Sequence, residues 1–370
     1  MIIGIPRELK EDETRGSATP SDVAKYVRRG HRVLIETSAV VASDFGNGEY
    51  EAEGGTIVTT NAAVFEQGKL VIKEKEPVPD EHGLLRSRQI HLAYLHLAAD
   101  LALAQALAEQ RVTAIAFETV QLTDGSVRLL VPMSEIAGRI ATQVGAQYLT
   151  NPHGGIGLLP GGVPGVPPAN VTVIGAGTSG TGTARVDLGI GAMVTIIDRN
   201  IGRLRPLEHA LHGRFVPLAS KQQHIAARVQ ESDLVIGAVL VPSGRAPTAV
   251  TREMVASMKP GSVIVDMAID QGACVATSHP TTLSNPVYTE FGVIHYCVTN
   301  IPAAVPRTST SALSDAILPY GLELADLAFA QAVPRDQALE RGVNMFNGQV
   351  TNRPVADALG LPYTPLADLL

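Results

Sequence analysis

Residues 171–198 read VTVIGAGTSGTGTARVDLGIGAMVTIID. An apolar run meets three spaced glycines, a helical pattern follows, and a second apolar run ends in aspartate. The glycines are Gly175, Gly177 and Gly180, a G-x-G-x-x-G spacing. Gly is common in this chain, with 35 residues, so the spacing alone is a weak signal. Its setting strengthens it: a strand before, a helix opening at it, and Asp198 closing the next strand about 20 residues on. Gly175 permits the tight turn, Gly177 lets a pyrophosphate approach the backbone, and Gly180 lets the helix pack against the strand. Unpaired N–H groups at the helix start suit phosphate. Asp198 can accept both hydroxyls of an adenosine ribose and would repel a 2′-phosphate, so the expected cofactor is NAD rather than NADP. Arg199 and Arg203 nearby weaken that preference. The bland alternative is a doubly wound domain with an ordinary Gly-rich turn.

Outward from this stretch the chain alternates strand and helix patterns on both sides. Upstream, IIGIP, HRVLIE (31–36), LVIKEK (70–75), IHLAYLH (90–96) and TAIAFE (113–118) read as strands. Thr19 is placed to cap a helix that begins at Pro20 and stops at Gly30. Residues 133–149 keep a helical period without proline, and the Gly/Pro-rich stretch 151–168 is a loop marking a boundary. Downstream strands are expected at 171–175, 193–198, 214–219, 233–240, 262–268 and 295–298. Near-continuous apolar strands imply sheets covered on both faces. A helical tail from about 309 to 332 is expected to pack back on the first domain. The expected fold is therefore α/β: two Rossmann-like, doubly wound parallel-sheet domains with an inter-domain cleft. Residues 1–132 with 305–370 would form a discontinuous substrate domain, and residues 133–304 the NAD-binding domain.

The chain has 370 residues, 45% hydrophobic and 18% charged, which suits a globular protein of about two domains. Its net charge of −7 argues against nucleic acid and anionic membrane surfaces as partners. The N-terminus carries no signal-peptide pattern, and the most apolar window, 92–108, includes His96 and Asp100 and is too short to span a bilayer. The two cysteines, Cys274 and Cys297, form no CxxC pair and are expected to be reduced and buried. A cytoplasmic protein acting on a small molecule is the expectation.

Ligands of open α/β sheets sit beyond the carboxyl ends of the strands. Arg15 follows the first strand, Lys75 closes LVIKEK, His96 closes IHLAYLH, and Asp270 follows SVIVDMA. Taken singly each has an ordinary reading: a solvated cation, a salt-bridged strand end in KEKEP, a satisfied structural histidine, a helix-capping aspartate.

Longer motifs carry a resemblance across nearly the whole chain, from IGIPRELK to PVADALGLPY. They are KEKEP, YLHLAAD, AFETVQ, PMSEIAGR, GGVPGVPPA, SDLVIGAVLVP, MKPGSVIVDMAIDQG and AVPRTST. The sequence resembles the alanine dehydrogenase/pyridine nucleotide transhydrogenase family, on its alanine dehydrogenase side. The resemblance implies reversible, NAD-dependent oxidative deamination of L-alanine to pyruvate and ammonium. It implies that Arg15 and Lys75 bind the substrate, with Arg15 offering a planar fork to its carboxylate. His96 would be the general acid/base, since imidazoles ordinarily titrate near pH 6.5. Asp270 would orient the amine or attacking water and stabilise cationic intermediates. Ser134, Gly175, Gly177, Thr178, Gly180, Asp198, Arg203, Ser220, Val239, Leu240, Met267, Ala268, Ile269, Asp270, Val298, Asn300 and Ile301 would line the NAD site. A homohexamer is implied as well.

Several positions depart from the family pattern. Gly16, Ser17 and Ala18 replace an apolar triplet after Arg15, a change expected to slacken the loop that aims it. The glycine-rich turn after Ile35 reads ETSAVVASDF. Ile156 and His279 stand where arginines are usual. Leu327 replaces a histidine that joins Glu323 at a metal in some members, so no metal is expected. The alternatives are a dehydrogenase for another small amino acid or 2-oxo acid, a non-catalytic NAD-binding relative, and a membrane-partnered transhydrogenase domain. The last carries an Arg-x-Gln-x-x-Asp-type loop where this chain reads QLTDGSVRLLVPMS.

Overall fold

The structure is a computed structural model that describes residues 1–239 and 246–370. The chain forms two compact units, Met1–Met133 with Val305–Leu370, and Ser134–Ala304.

The first unit is built on β1 (Ile2–Ile5), β2 (Arg32–Glu36), β3 (Thr56–Val58), β4 (Leu70–Ile72), β5 (Ile90–Ala93) and β6 (Thr113–Ala116). They pair in parallel in the order β3-β2-β1-β4-β5-β6. The connections reverse direction between β1 and β4, which opens a crevice at the carboxyl ends of those strands. Strands such as β4 and β6 are buried along their whole length, which their unbroken apolar runs require. The helix Pro20–Arg28 covers the sheet. The Thr19 backbone N–H donates to Asp22 at 3.0 Å, and Gly30 leaves the helix at φ +80.

The second unit carries β7 (Asn170–Ile174), β8 (Met193–Asp198), β9 (Phe215–Ala219), β10 (Leu234–Gly237), β11 (Val263–Asp266), β12 (Val287–Glu290) and β13 (Val293–Tyr296). Their order is β12-β13-β11-β10-β7-β8-β9. All pair in parallel except β12, which forms an antiparallel hairpin with β13. The direction reverses between β7 and β10, so the glycine turn after β7 lies at the switch point. An aliphatic core of residues such as Ile174, Ile197, Val235 and Ile264 underlies it.

The chain returns to the first unit with β14 (Val343–Phe346), antiparallel to β6, and β15 (Gln349–Val350). Met345, Val350 and Val355 share a core cluster with Leu103 and Leu107 of the helix Leu101–Glu109. The tail thus completes the first unit's core.

Several elements are shorter or broken relative to the sequence reading. The strands expected to reach Lys75 and His96 stop at Ile72 and Ala93. The residues after Ile72 are charged and turn into an ion-pair network, Pro77 lacks an N–H, and His96 leaves the extended region at φ +46. The strand expected over 233–240 ends at Gly237. The tail helix starts at Pro306 and breaks after Leu327 at Ala328, whose φ is +58. Among the described residues no single helix is long and apolar enough to cross a membrane.

Candidate functional site

In the second unit the three glycines meet three different surroundings. Gly175 has φ +111, and a Cβ there would stand 2.4 Å from the Ala238 carbonyl oxygen. A Cβ on Gly180 would stand 1.8 Å from the Gly175 carbonyl oxygen, so the helix packs onto the turn itself. At Gly177 nothing lies within 4 Å of the Cβ position. The site at Gly177 is open where a ligand's phosphates would come, and the helix Thr178–Gly189 begins there. Asp198 ends β8 and is buried, with one carboxylate oxygen accepting the Ala176 N–H at 2.8 Å and the other the Asn200 N–H at 2.7 Å. The turn therefore fixes the carboxylate's direction, and each oxygen retains capacity for a further donor. This arrangement fits a dinucleotide.

The other expected cofactor residues follow the same edge. Ser220 follows β9, and its N–H bonds the Asp198 carbonyl at 3.0 Å. Val239 follows β10, Met267 to Asp270 follow β11, and Val298, Asn300 and Ile301 follow β13. Ala268 and Ile269 are buried, while Asp270 is exposed on the short turn Ile269–Gln271. Thr178 is exposed at the helix start, Arg203 is exposed in the short helix Ile201–Leu204, and Ser134 lies in the first turns of Val131–Tyr148. Leu240 lies outside the described residues. His279 stacks on Tyr288 with centroids 3.6 Å apart.

In the first unit Arg15, Lys75 and His96 come together beyond β1, β4 and β5. Arg15 is 1% exposed. Its Nε and Nη2 donate to the two Glu13 oxygens at 2.8 and 2.6 Å, and Nη1 lies 2.6 Å from Glu74. It is no solvated loop cation. Burial works against its charge, but Glu74 and Glu13 more than offset that and raise its pKa. Nor is the loop slack: the Gly16 N–H donates to Thr310 Oγ1 at 2.9 Å, and the Ser17 hydroxyl donates to the Ile72 carbonyl at 2.7 Å. A Cβ at Gly16 would stand 2.6 Å from the Val40 side chain, so the backbone packs closely there.

The buried glutamates Glu8, Glu13, Glu74 and Glu81 outnumber the buried cations Arg15, Lys73 and Lys75. Burial raises Glu8 to about 7, with Lys73 opposing, and raises Glu74 against the pull of Arg15. Burial thus works against the charge of both carboxyls, while the buried cations work for it. Lys75 is buried and shifts the other way: burial first, then Arg15 and Lys10, lower its pKa. Its Nζ lies 5.8 Å from the Tyr94 ring centre. The His96 ring stacks on the same Tyr94 at 6.0 Å between centroids, its side chain 44% exposed. His96 Nδ1 lies 3.5 Å from Glu76 Oε2. Burial would raise Glu76, but His96 and Lys10 hold it well below the usual carboxylate range. Glu118, beyond β6, accepts the His96 backbone N–H at 2.7 Å.

The sequence reading singled out neither Glu13 and Glu74 around Arg15 nor Tyr94, Glu76 and Glu118 around His96. Each sits inside a quoted motif, and KEKEP, with acids alternating against lysines, was the available signal. Asp270 belongs to the other unit's edge.

The profiles described as Alanine dehydrogenase/PNT, N-terminal domain and Alanine dehydrogenase/PNT, C-terminal domain match residues 4–137 and 141–353. The chain belongs to the alanine dehydrogenase/PNT family. It is 48% identical to the alanine dehydrogenase of Staphylococcus epidermidis over 100% of both chains. It is 49% identical to that of Bacillus subtilis, over 99% of this chain and 96% of the other. A solved L-alanine dehydrogenase superposes with a TM-score of 0.94 at 43% identity, covering 97% of this chain and 99% of that one. A transhydrogenase from Sinorhizobium meliloti, at 23% identity, has a TM-score of 0.81 over 95% and 99% of the two chains and shares the fold. Membership makes the chain an oxidoreductase of a pyridine-nucleotide-dependent kind.

Proposed function

We propose that the chain is an NAD-dependent L-alanine dehydrogenase, which converts L-alanine, NAD and water reversibly to pyruvate, ammonium, NADH and a proton. The observation that carries the reading is the convergence of Arg15, Lys75 and His96 beyond adjacent strands of one sheet, in a chain alike in full length to alanine dehydrogenases.

Arg15 binds the substrate carboxylate. Its guanidinium is held in place by Glu13 and Glu74, and its planar fork suits the two oxygens of the incoming anion. Lys75, buried and with its pKa lowered by that burial, hydrogen-bonds the carboxylate or the carbonyl oxygen and helps polarise the reacting carbon. NAD supplies the hydride acceptor when bound, held by Gly175, Gly177, Gly180 and Asp198 with the residues beyond β9, β10, β11 and β13. Oxidation of the α-carbon leaves an iminium, which the Asp270 carboxylate stabilises. His96 takes a proton from the attacking water and returns one to the departing amine as the carbinolamine collapses. The Asp198 carboxylate, fixed by Ala176 and Asn200, favours free ribose hydroxyls over a 2′-phosphate. The family likeness extends the proposal to a cytoplasmic homohexamer, which sedimentation of the purified protein tests.

His96→Ala is expected to lose at least about 100-fold in turnover while NADH binds as before. Near-normal turnover would remove His96 from the mechanism.

A further inference from the structure

His96 has φ +46 and ψ +33, the left-handed region that a residue with a Cβ enters only when its surroundings impose it. The backbone N–H groups of Leu95 and His96 point the same way, a nest suited to an anionic oxygen. Glu118 fills it. Its Oε1 accepts the His96 N–H at 2.7 Å, and both oxygens lie 3.3 Å from the Leu95 nitrogen. Glu118 itself rides on the turn Phe117–Thr119, directly beyond β6, the strand that pairs with β5. The next turn continues from the clamp, with the Ala99 N–H bonded to the His96 carbonyl at 3.0 Å. The outcome is a ring that stacks on Tyr94 and brings Nδ1 to Glu76.

We infer that Glu118 is a positioning residue: its carboxylate holds the turn after β5 in the left-handed form that aims the His96 imidazole. The inference rests on His96 being the acid/base of the proposed reaction. Glu118 acts on the turn's main chain, so its effect on the chemistry passes through His96. An extended His96 backbone would carry the ring away from both Tyr94 and Glu76.

The experiment compares Glu118→Ala, Glu118→Gln, His96→Ala and the Glu118→Ala/His96→Ala double variant in alanine oxidation, with NADH binding measured alongside. Glu118→Ala is expected to lower kcat at least about tenfold, with KM for alanine moving less than about threefold and NADH binding retained. Glu118→Gln keeps an oxygen for the His96 N–H and is expected to recover most of the loss. In the His96→Ala background, removing Glu118 is expected to add less than about twofold. Wild-type kcat in Glu118→Ala, a Gln variant as impaired as the Ala variant, or additive losses in the double variant would each overturn the role. The His96 imidazole resonance of Glu118→Gln and Glu118→Ala reads the turn without reference to turnover. It is expected to stay at its wild-type position in the first and move in the second. That signal separates failure of the positioning role from failure of His96 as the acid/base.

Discussion

Alanine substitutions at Gly177 and Gly180, three residues apart in one turn, are expected to fail for opposite reasons. A Cβ on Gly180 would stand 1.8 Å from the Gly175 carbonyl oxygen. An ordinary carbon–oxygen contact is about 3.3 Å, so turn and helix must separate by more than an ångström. Gly175 cannot yield readily, because its own φ is +111 and the Ala238 carbonyl crowds it. Overpacking of this kind costs about 3 kcal/mol, felt in the unfolding of the second unit. Gly177→Ala meets nothing within 4 Å and has φ −79, which any residue adopts. Reduced freedom in the unfolded chain and a weaker helix cap roughly cancel, leaving stability within about 0.5 kcal/mol. If the pyrophosphate of NAD approaches at Gly177, the methyl group displaces it, and a steric cost of 1.4–2.8 kcal/mol weakens binding by about 10- to 100-fold. Thermal unfolding of the unliganded protein and titration with NADH, read by nicotinamide fluorescence, separate the two. Gly177→Ala should unfold like the parent but bind NADH poorly. Unimpaired NADH binding by folded Gly177→Ala would refute the assignment of the open turn to the cofactor.

Asp187, fully buried in the helix Thr178–Gly189, has no well-formed hydrogen bond, and burial raises its carboxyl to about 7 despite the Thr142 hydroxyl. The folded chain keeps a proton that the unfolded chain releases above its ordinary pKa of 3.8, so Asp187 costs stability progressively as pH rises from there to about 7. The full cost is about 4 kcal/mol. Asp187→Asn should therefore gain stability relative to the parent between pH 5 and 8 in denaturant unfolding, and parallel pH curves would contradict the buried-proton account. Asp198→Ala should weaken NADH binding and narrow its preference over NADPH about tenfold or more; an unchanged ratio counts against Asp198 as the selector.

The glycine turn and the order of the chemical residues were legible because both rest on local rules. Parallel strands covered on both faces must be apolar throughout, and the polar residues just beyond their carboxyl ends stand out against them. Gly175 and Gly180 are dictated by backbone contacts that no side chain satisfies. The partners of Arg15 were not legible. Glu13 is two residues away, but Glu74 meets Arg15 only because β1 pairs with β4, and pairing order is a property of the whole sheet. The same holds for Glu118, which reaches His96 because β6 lies beside β5. β14 and β15 were not legible because they are short antiparallel strands that follow a helical stretch and carry no alternating pattern long enough to mark them. The slackness expected at Gly16–Ala18 was misplaced, since burial against Val40 and Thr310 replaces the apolar triplet's packing with close contact and hydrogen bonds.

The most direct test of the proposed activity is nicotinamide absorbance on mixing the purified protein with NAD and a panel of small L-amino acids. Rapid NADH formation with L-alanine, exceeding that with every other member of the panel, is the predicted result. NADH formation with another amino acid alone, or none with NAD demonstrably bound, would contradict it.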